Sequence, residues 1–174
     1  MSVANIPVVE TERLTLRAFV DADLDEYARW HADPETMRYV GGKALSREDA
    51  WRSLAMMSGH WLLRGYGMWA VVDKATGALV GRVGLWMPEG WPSIEVGWMV
   101  APAARRRGFA AEAARASIAY ARNALGIERV ISIIHVDNAP SIAVAKSIGE
   151  TFREQRTIRG FPCGVWERAT SERP

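Results

Sequence analysis

The residues best placed to do chemistry stand near the middle of the chain. There Arg105-Arg106-Arg107-Gly108-Phe109-Ala110-Ala111-Glu112-Ala113 runs three adjacent cations into a glycine and an alanine-rich stretch. A helix start already carries partial positive charge, so a basic cluster at that point calls for a negative ligand. Free N–H groups of a helix N-terminus beside guanidinium groups make a good diphosphate site, by hydrogen bonding and charge together. Gly108 and Ala110 are small where such a ligand must approach the backbone closely. An arginine triplet taken alone is more simply a solvated basic turn. What favours a site is position, because the triplet follows a strand ending at Val100 and the turn Ala101-Pro102-Ala103-Ala104, and precedes a helix.

Other patterns carry less. Gly65-Tyr66-Gly67-Met68-Trp69-Ala70 satisfies G-x-G-x-x-G/A, but it follows a helical stretch and opens a strand, the reverse of a dinucleotide fingerprint. His31, His60 and His135 lie in unrelated segments without i, i+4 spacing, and Cys163 is the one cysteine, so no metal site is expected. No G-x-S-x-G elbow is present. Cys163 has no histidine near it in sequence, which disfavours a covalent acyl-enzyme.

These residues need elements to hold them. "RLTLRAFV" alternates Leu14, Leu16 and Ala18 with polar neighbours and predicts a half-buried first strand from Arg13. Asp21 is expected to cap a helix carrying Leu24, Tyr27, Ala28 and His31, which "DPET" interrupts around Pro34. A second helix should start at Ser46, in a capping box with Asp49, and run through Trp51, Leu54, Met57 and Trp61 to Gly65. "MWAVVDK", "LVGRVGLW" and "SIEVGWMV" predict an antiparallel meander of three strands, divided by the Thr76-Gly77 turn and by "MPEGWP". Gly108 to Leu125 reads as an amphipathic helix ended by Gly126, "RVISIIHV" as a strand buried on both faces, and "APSIAVAKSIG" as a short helix introduced by Asn138. Two strands, around Glu150 to Ile158 and Val165 to Ala169, finish the chain. That order calls for a mixed sheet with helices on both faces, of class α/β or α+β.

Composition narrows the function. A chain of 174 residues, 49% apolar and 24% charged, is read as one globular domain over residues 1–174. A net charge of +2 weakens a general nucleic-acid or membrane role, so neither partner is expected. A lone cysteine fits a reducing compartment, the absence of a signal-like segment in "MSVANIPVVETERL" fits the cytoplasm, and no stretch is long and apolar enough to span a bilayer. Most of the eight tryptophans read as core or cleft lining.

The loop from Arg105 to Ala110 resembles the R/Q-x-x-G-x-G/A signature of the GNAT superfamily of N-acetyltransferases. With "ETERLTLRAF", "IEVGWMVAP", "GFAAEA" and "NAPSIAVAKSIG" in order, the whole chain resembles the Rim-type subgroup, named for ribosomal-protein N-terminal acetyltransferases. The resemblance implies the acyl-CoA N-acyltransferase fold. That is a mixed, mostly antiparallel sheet of about seven strands with about four helices, splayed between the fourth and fifth expected strands. It also implies acetyl-CoA as cosubstrate, with its pantetheine arm in the splay. By match, Trp98, Met99 and Val100 would supply strand contacts, the backbone from Arg105 through Arg106, Arg107, Gly108, Phe109 and Ala110 to Ala111 would hold the pyrophosphate, and Asn138 would contact the pantetheine. Many members carry a tyrosine acid in the following helix; Ala145 stands there, and Ser141 is the alternative proton donor.

Acyl transfer needs a neutral amine, a polarised carbonyl and an outlet for the amine proton. Alternation sets Glu95, Gly97 and Met99 on the face opposite Ile94, Val96, Trp98 and Val100. Glu95 is therefore the candidate base, its pKa raised by an apolar setting; a structural carboxylate is the rival reading. A backbone N–H near Met99 would polarise the carbonyl. A protein α-amine, with a pKa of about 8, asks less of a base than a lysine near 10.4. The expected activity is thus acetyl transfer to a primary amine by direct attack, with Trp86 and Trp91 shaping the acceptor pocket; a protein or peptide N-terminus and a small-molecule amine both fit as acceptor. A small-molecule or antibiotic acetyltransferase, a silent acyl-CoA-binding module and an RNA-binding protein are the rivals, and a homodimer is kept open.

Overall fold

The computed structural model describes residues 6–171; the ends of the expected 1–174 domain, including the first five residues of "MSVANIPVVETERL", lie outside them. Eight strands form one sheet: β1 (Val9–Glu10), β2 (Leu14–Arg17), β3 (Met68–Asp73), β4 (Leu79–Trp86), β5 (Glu95–Val100), β6 (Arg129–His135), β7 (Thr151–Ile158) and β8 (Phe161–Ala169). Their order is β1-β2-β3-β4-β5-β6-β8-β7, and every neighbouring pair is antiparallel except β5 and β6. The helices are α1 (Leu24–His31), α2 (Pro34–Met37), α3 (Arg47–Arg64), α4 (Phe109–Leu125) and α5 (Ala139–Ser147).

Pairing fixes two faces. Trp69, Val83, Leu85 and Val96 share one, where Trp69 meets Tyr120 of α4 edge to face at 5.1 Å. Met68, Ala70, Arg82, Gly84, Trp86, Glu95 and Gly97 share the other, and there His60 of α3 stacks on Trp86 at 4.4 Å. Leu14, Leu16, Trp69, Val83, Leu85 and Val96 are each 1% exposed or less and form the centre of the core with α4.

Several expectations need correction. β1 is a two-residue edge too short to leave a pattern in the sequence. Asp23, not Asp21, organises the first helix: it accepts from Val20 N at 2.9 Å and binds the Arg17 guanidinium through both oxygens at 2.7 and 2.8 Å. "DPET" starts a helix rather than only ending one. Asp33 accepts from the N–H groups of Glu35 and Thr36, and Pro34 occupies the first turn, where its missing N–H costs nothing. α3 has the expected Ser46 cap and ends at Gly65 with φ of 76°, but it buries Ala50 and leaves Trp51 half exposed. No helix among the described residues is long and apolar enough to cross a membrane.

Candidate active site

β5 pairs with β4 along its whole length but with β6 only at Glu95 and Ile131, where Ile131 N donates to Ile94 O at 3.0 Å. One residue further on, the strands part. Ser132 Oγ lies 2.8 Å from Val96 O and stands in for the next rung of the ladder. Ala101 N bonds Val80 O, so by antiparallel alternation Glu95, Gly97 and Met99 turn their N–H and C=O groups to β4. Val96, Trp98 and Val100 turn theirs to the gap. The N–H of Met99 itself belongs to the ladder, and its neighbours Trp98 and Val100 are the gap-facing donors expected near it. The Met99 side chain still lines the cleft.

On one side of the gap a cleft of about 650 Å³ is bounded by Trp98, Val100, Arg105, Gly108, Ala111 and Val144. Gly108 precedes α4 with φ of 82°, a conformation open to glycine, and no side chain caps the helix, so its first-turn N–H groups face outward. The loop is fastened from below by Arg13. Its Nη1 donates to Arg107 O at 2.9 Å, its Nε to Glu112 Oε2 at 2.7 Å, and its guanidinium lies 4.9 Å from the centre of the Phe109 ring. The three arginines diverge. Arg105 reaches Thr36 Oγ1 at 2.8 Å beside the cleft. Arg106, at φ of 61°, also borders the cleft. Arg107 turns away to the buried carboxylate of Asp73 at 3.1 Å and lies over Phe109, so its side chain does not take the phosphate-facing position expected of it. Phe109 is a core residue at 2% exposed, whereas Ala110 and Ala111 line the cleft.

On the other side is a cavity of about 730 Å³ beneath α1 to α3, bordered by His31, Arg82, Trp91, Glu95, Ser132 and Cys163 among others. Glu95 is half-buried, and its remaining surface opens into this cavity. Burial pushes its carboxyl up to about 7, against the hydrogen bond from Trp91 Nε1 at 2.6 Å, a backbone bond at Ile133 and the charge of Arg82. That value leaves a proton acceptor poised near neutrality. His31 is driven down to about 4 by burial and by Arg82; its Nδ1 lies 2.7 Å from Tyr27 O, so the neutral ring donates there. Behind Ser132 lies Glu150, raised to about 8 by burial and the nearby Glu95 charge, outweighing the Ser132 hydrogen bond and Arg168. Protonated at neutral pH, Glu150 donates to Ser132 Oγ at 2.9 Å, which frees the Ser132 proton for Val96 O.

The two spaces meet at Tyr39, Trp98, Asn138 and Ser141, which border both. Trp98 Nε1 donates to Ser141 Oγ at 3.3 Å, so that hydroxyl keeps its own proton for another acceptor. Asn138 caps α5 by accepting from Ser141 N at 3.3 Å. Ala145 is fully buried, away from both spaces. Cys163 pairs across the sheet with His135, a proximity that the sequence hides, but burial and the Glu95 charge raise its thiol and disfavour a nucleophilic thiolate.

Sequence reasoning brought Glu95, Trp98, Asn138, Ser141 and the 105–111 loop to one region. It missed Arg13, Tyr39, Arg82, Ser132 and Glu150. Arg82 did leave a signal, as the one charge inside the apolar run "LVGRVGLW".

Comparison with known proteins agrees with this geometry. Residues 13–151 match the model of the acetyltransferase (GNAT) domain family. The uncharacterized protein YkkB of Bacillus subtilis is 32% identical over 169 residues, covering 91% of this chain and 93% of its own. The crystal structure of an acetyltransferase from Agrobacterium tumefaciens is 30% identical, with a TM-score of 0.84 over 94% of this chain and 95% of that one. RimL, a ribosomal L7/L12 alpha-N-protein acetyltransferase in complex with coenzyme A, shares the fold at 16% identity, with a TM-score of 0.77 over 94% and 98% of the two chains. The chain belongs to the GNAT acetyltransferase family and is an N-acetyltransferase that uses acetyl-CoA.

Proposed function

We propose that this enzyme acetylates a primary amine by direct attack on the thioester, with the N-terminus of a protein or peptide as acceptor, as in the Rim-type subgroup. The observation that carries the reading is the meeting of two clefts at one opened strand edge, with Glu95 on the acceptor side and the N–H of Trp98 facing the gap. Acetyl-CoA supplies the acyl thioester. The free N–H groups of the Arg105 to Ala111 segment, with Arg105 and Arg106, bind its diphosphate; Asn138 and the open edge of β5 bind the pantetheine arm. Glu95 takes the amine proton, Trp98 N–H stabilises the developing negative oxygen, and Ser141 passes its hydroxyl proton to the departing sulfur and takes one back from solvent. A base near 7 matches an α-amine, which needs little help to lose its proton. The subgroup assignment rests on the motif set from Glu10 to Gly149. In this reading residues 1–174 are one domain acting in the cytoplasm.

An acceptor screen with thiol-release detection tests the proposal, using peptides with free N-termini, the same peptides acetylated at the N-terminus but carrying lysine, polyamines and aminoglycosides. Release that depends on a free N-terminus supports it. Release confined to lysine peptides or small amines overturns the N-terminal acceptor.

A further inference from the structure

The acceptor side holds one group that the transfer step does not use. Arg82 stands inside β4, on the Glu95 face of the sheet, and borders the acceptor cavity. Its Nε is buried with no hydrogen-bond partner, and no carboxylate among the described residues forms an ion pair with it. A guanidinium kept in such a position without a partner is costly unless something else supplies one. From this placement we infer that the acceptor amine carries a carboxylate, which Arg82 binds while Glu95 faces the amine. The inference rests on the acetyl-transfer reading of the same site.

Sheet register supports the spacing. The Gly84–Gly97 pair lies between the Trp86–Glu95 pair and the Arg82–Met99 pair. A Cβ on Gly97 would sit 2.8 Å from Met68 Cε and 3.5 Å from Glu95 Oε1, so the glycine leaves room there for the Met68 and Glu95 side chains. Glu95 and Met99, the partner of Arg82, are about 13 Å apart along the strand, and both Glu95 and Arg82 border the acceptor cavity. The rim points the same way. Arg52 and Asp49 at the rim pair with each other at 2.5 Å, which leaves Lys43 and Arg159 as the excess charge there. A polyamine or aminoglycoside would bring like charge to this wall. The half-buried Arg82 guanidinium, with its Nε out of reach of solvent, matches one carboxylate in both charge and fork geometry; the other cations are exposed.

The carboxylate has two sources, the α-carboxylate of a free amino acid or an acidic side chain next to a peptide N-terminus, so the test has two arms. Thiol release is measured for free amino acids against their amides, and for peptides with Asp or Glu at the second position against Asn or Gln, with spermidine as the cationic control. In one arm the acid should exceed its amide by about 10- to 100-fold in kcat/KM, the range of a charged hydrogen-bonded contact. Arg82→Gln should collapse that ratio to near unity, and Arg82→Lys should keep part of it; melting curves and acetyl-CoA titration establish that both variants fold. Equal use of acid and amide in both arms, a ratio that survives R82Q, or spermidine turnover matching the acids overturns the inference. Calorimetric titration of the same acids with coenzyme A present reads the contact without turnover. If no amine releases thiol, the N-terminal acceptor reading fails by itself, and acid binding that is the same in R82Q as in the parent sinks the carboxylate inference separately.

Discussion

On the proposed reading, the two sides of the opened β5 edge solve binding in different ways. The coenzyme side relies on backbone: outward N–H groups, a glycine at φ of 82°, and arginines of which one is already committed to Asp73. The acceptor side relies on side chains drawn from distant parts of the chain, with the Arg82 Nε lacking a hydrogen-bond partner and Glu95 held near 7. A backbone site suits a ligand common to a whole family, because it survives most side-chain changes. A side-chain site can be altered one residue at a time, which is where acceptor choice must lie.

The strongest way to separate the two sides is Glu95→Gln. Loss of a general base should lower kcat by about 10²- to 10⁴-fold, while acetyl-CoA affinity by calorimetry stays near the parent value. In the parent, kcat/KM should fall as pH drops through about 7, because Glu95 takes up its proton there. That inflection should vanish in the variant. A parental rate in E95Q would remove Glu95 from the chemistry and leave it a structural partner of Trp91.

Gly108→Ala tests the coenzyme side. The position is left-handed, and the new Cβ would meet Arg13 Nη2 at 3.3 Å. A strain of about 1–2 kcal/mol should weaken acetyl-CoA binding by about 5- to 30-fold while kcat at saturating acetyl-CoA is kept. A fall in kcat with unchanged affinity would mean that the loop governs the acceptor side as well.

Glu150 lies behind both sides, at the point where the strands part, and its effect is on stability. A carboxyl raised from about 4.5 in the unfolded chain to about 8 stabilises the fold fully below 4.5, and that contribution is lost as pH rises through 8. The melting temperature should therefore decline over that window. Glu150→Gln should flatten the decline and raise Tm at pH 8.5 by about 2–6 °C. An unchanged profile would assign the pH dependence to Glu95 instead.

How far each side was legible follows from the same contrast. The 105–111 loop between strand and helix, the Ser46 and Asn138 caps and the Gly65 and Gly126 stops are local, and each is carried by a few adjacent residues. Strand alternation correctly gave the face of Glu95. It did not give the direction of the Met99 N–H, because that depends on register with β4. Helical spacing likewise does not say which of the adjacent Ala50 and Trp51 turns inward. Arg13 acts on Glu112, 99 positions away, and Arg82 becomes a half-buried cavity residue only once β3 and β5 flank it. "DPET" misled because the residues that end one helix are those that begin the next.

The smallest effects divide the arginine triplet. Arg106 is exposed, borders the cleft and makes no hydrogen bond or ion pair among the described residues, so Arg106→Ala should leave Tm unchanged. It should raise the acetyl-CoA Kd by about 2- to 5-fold at low salt and less at high salt, as a screened charge does. Arg107→Ala should do the reverse. It strips a partner from Asp73, a carboxylate whose side chain is 3% exposed, and should cost about 1–2 kcal/mol of stability, or several degrees of Tm, with little change in Kd. A salt-sensitive loss of affinity in R107A equal to that in R106A would show that the Asp73 pair opens when the coenzyme binds, and the coenzyme side would then depend on side-chain charge as the acceptor side does.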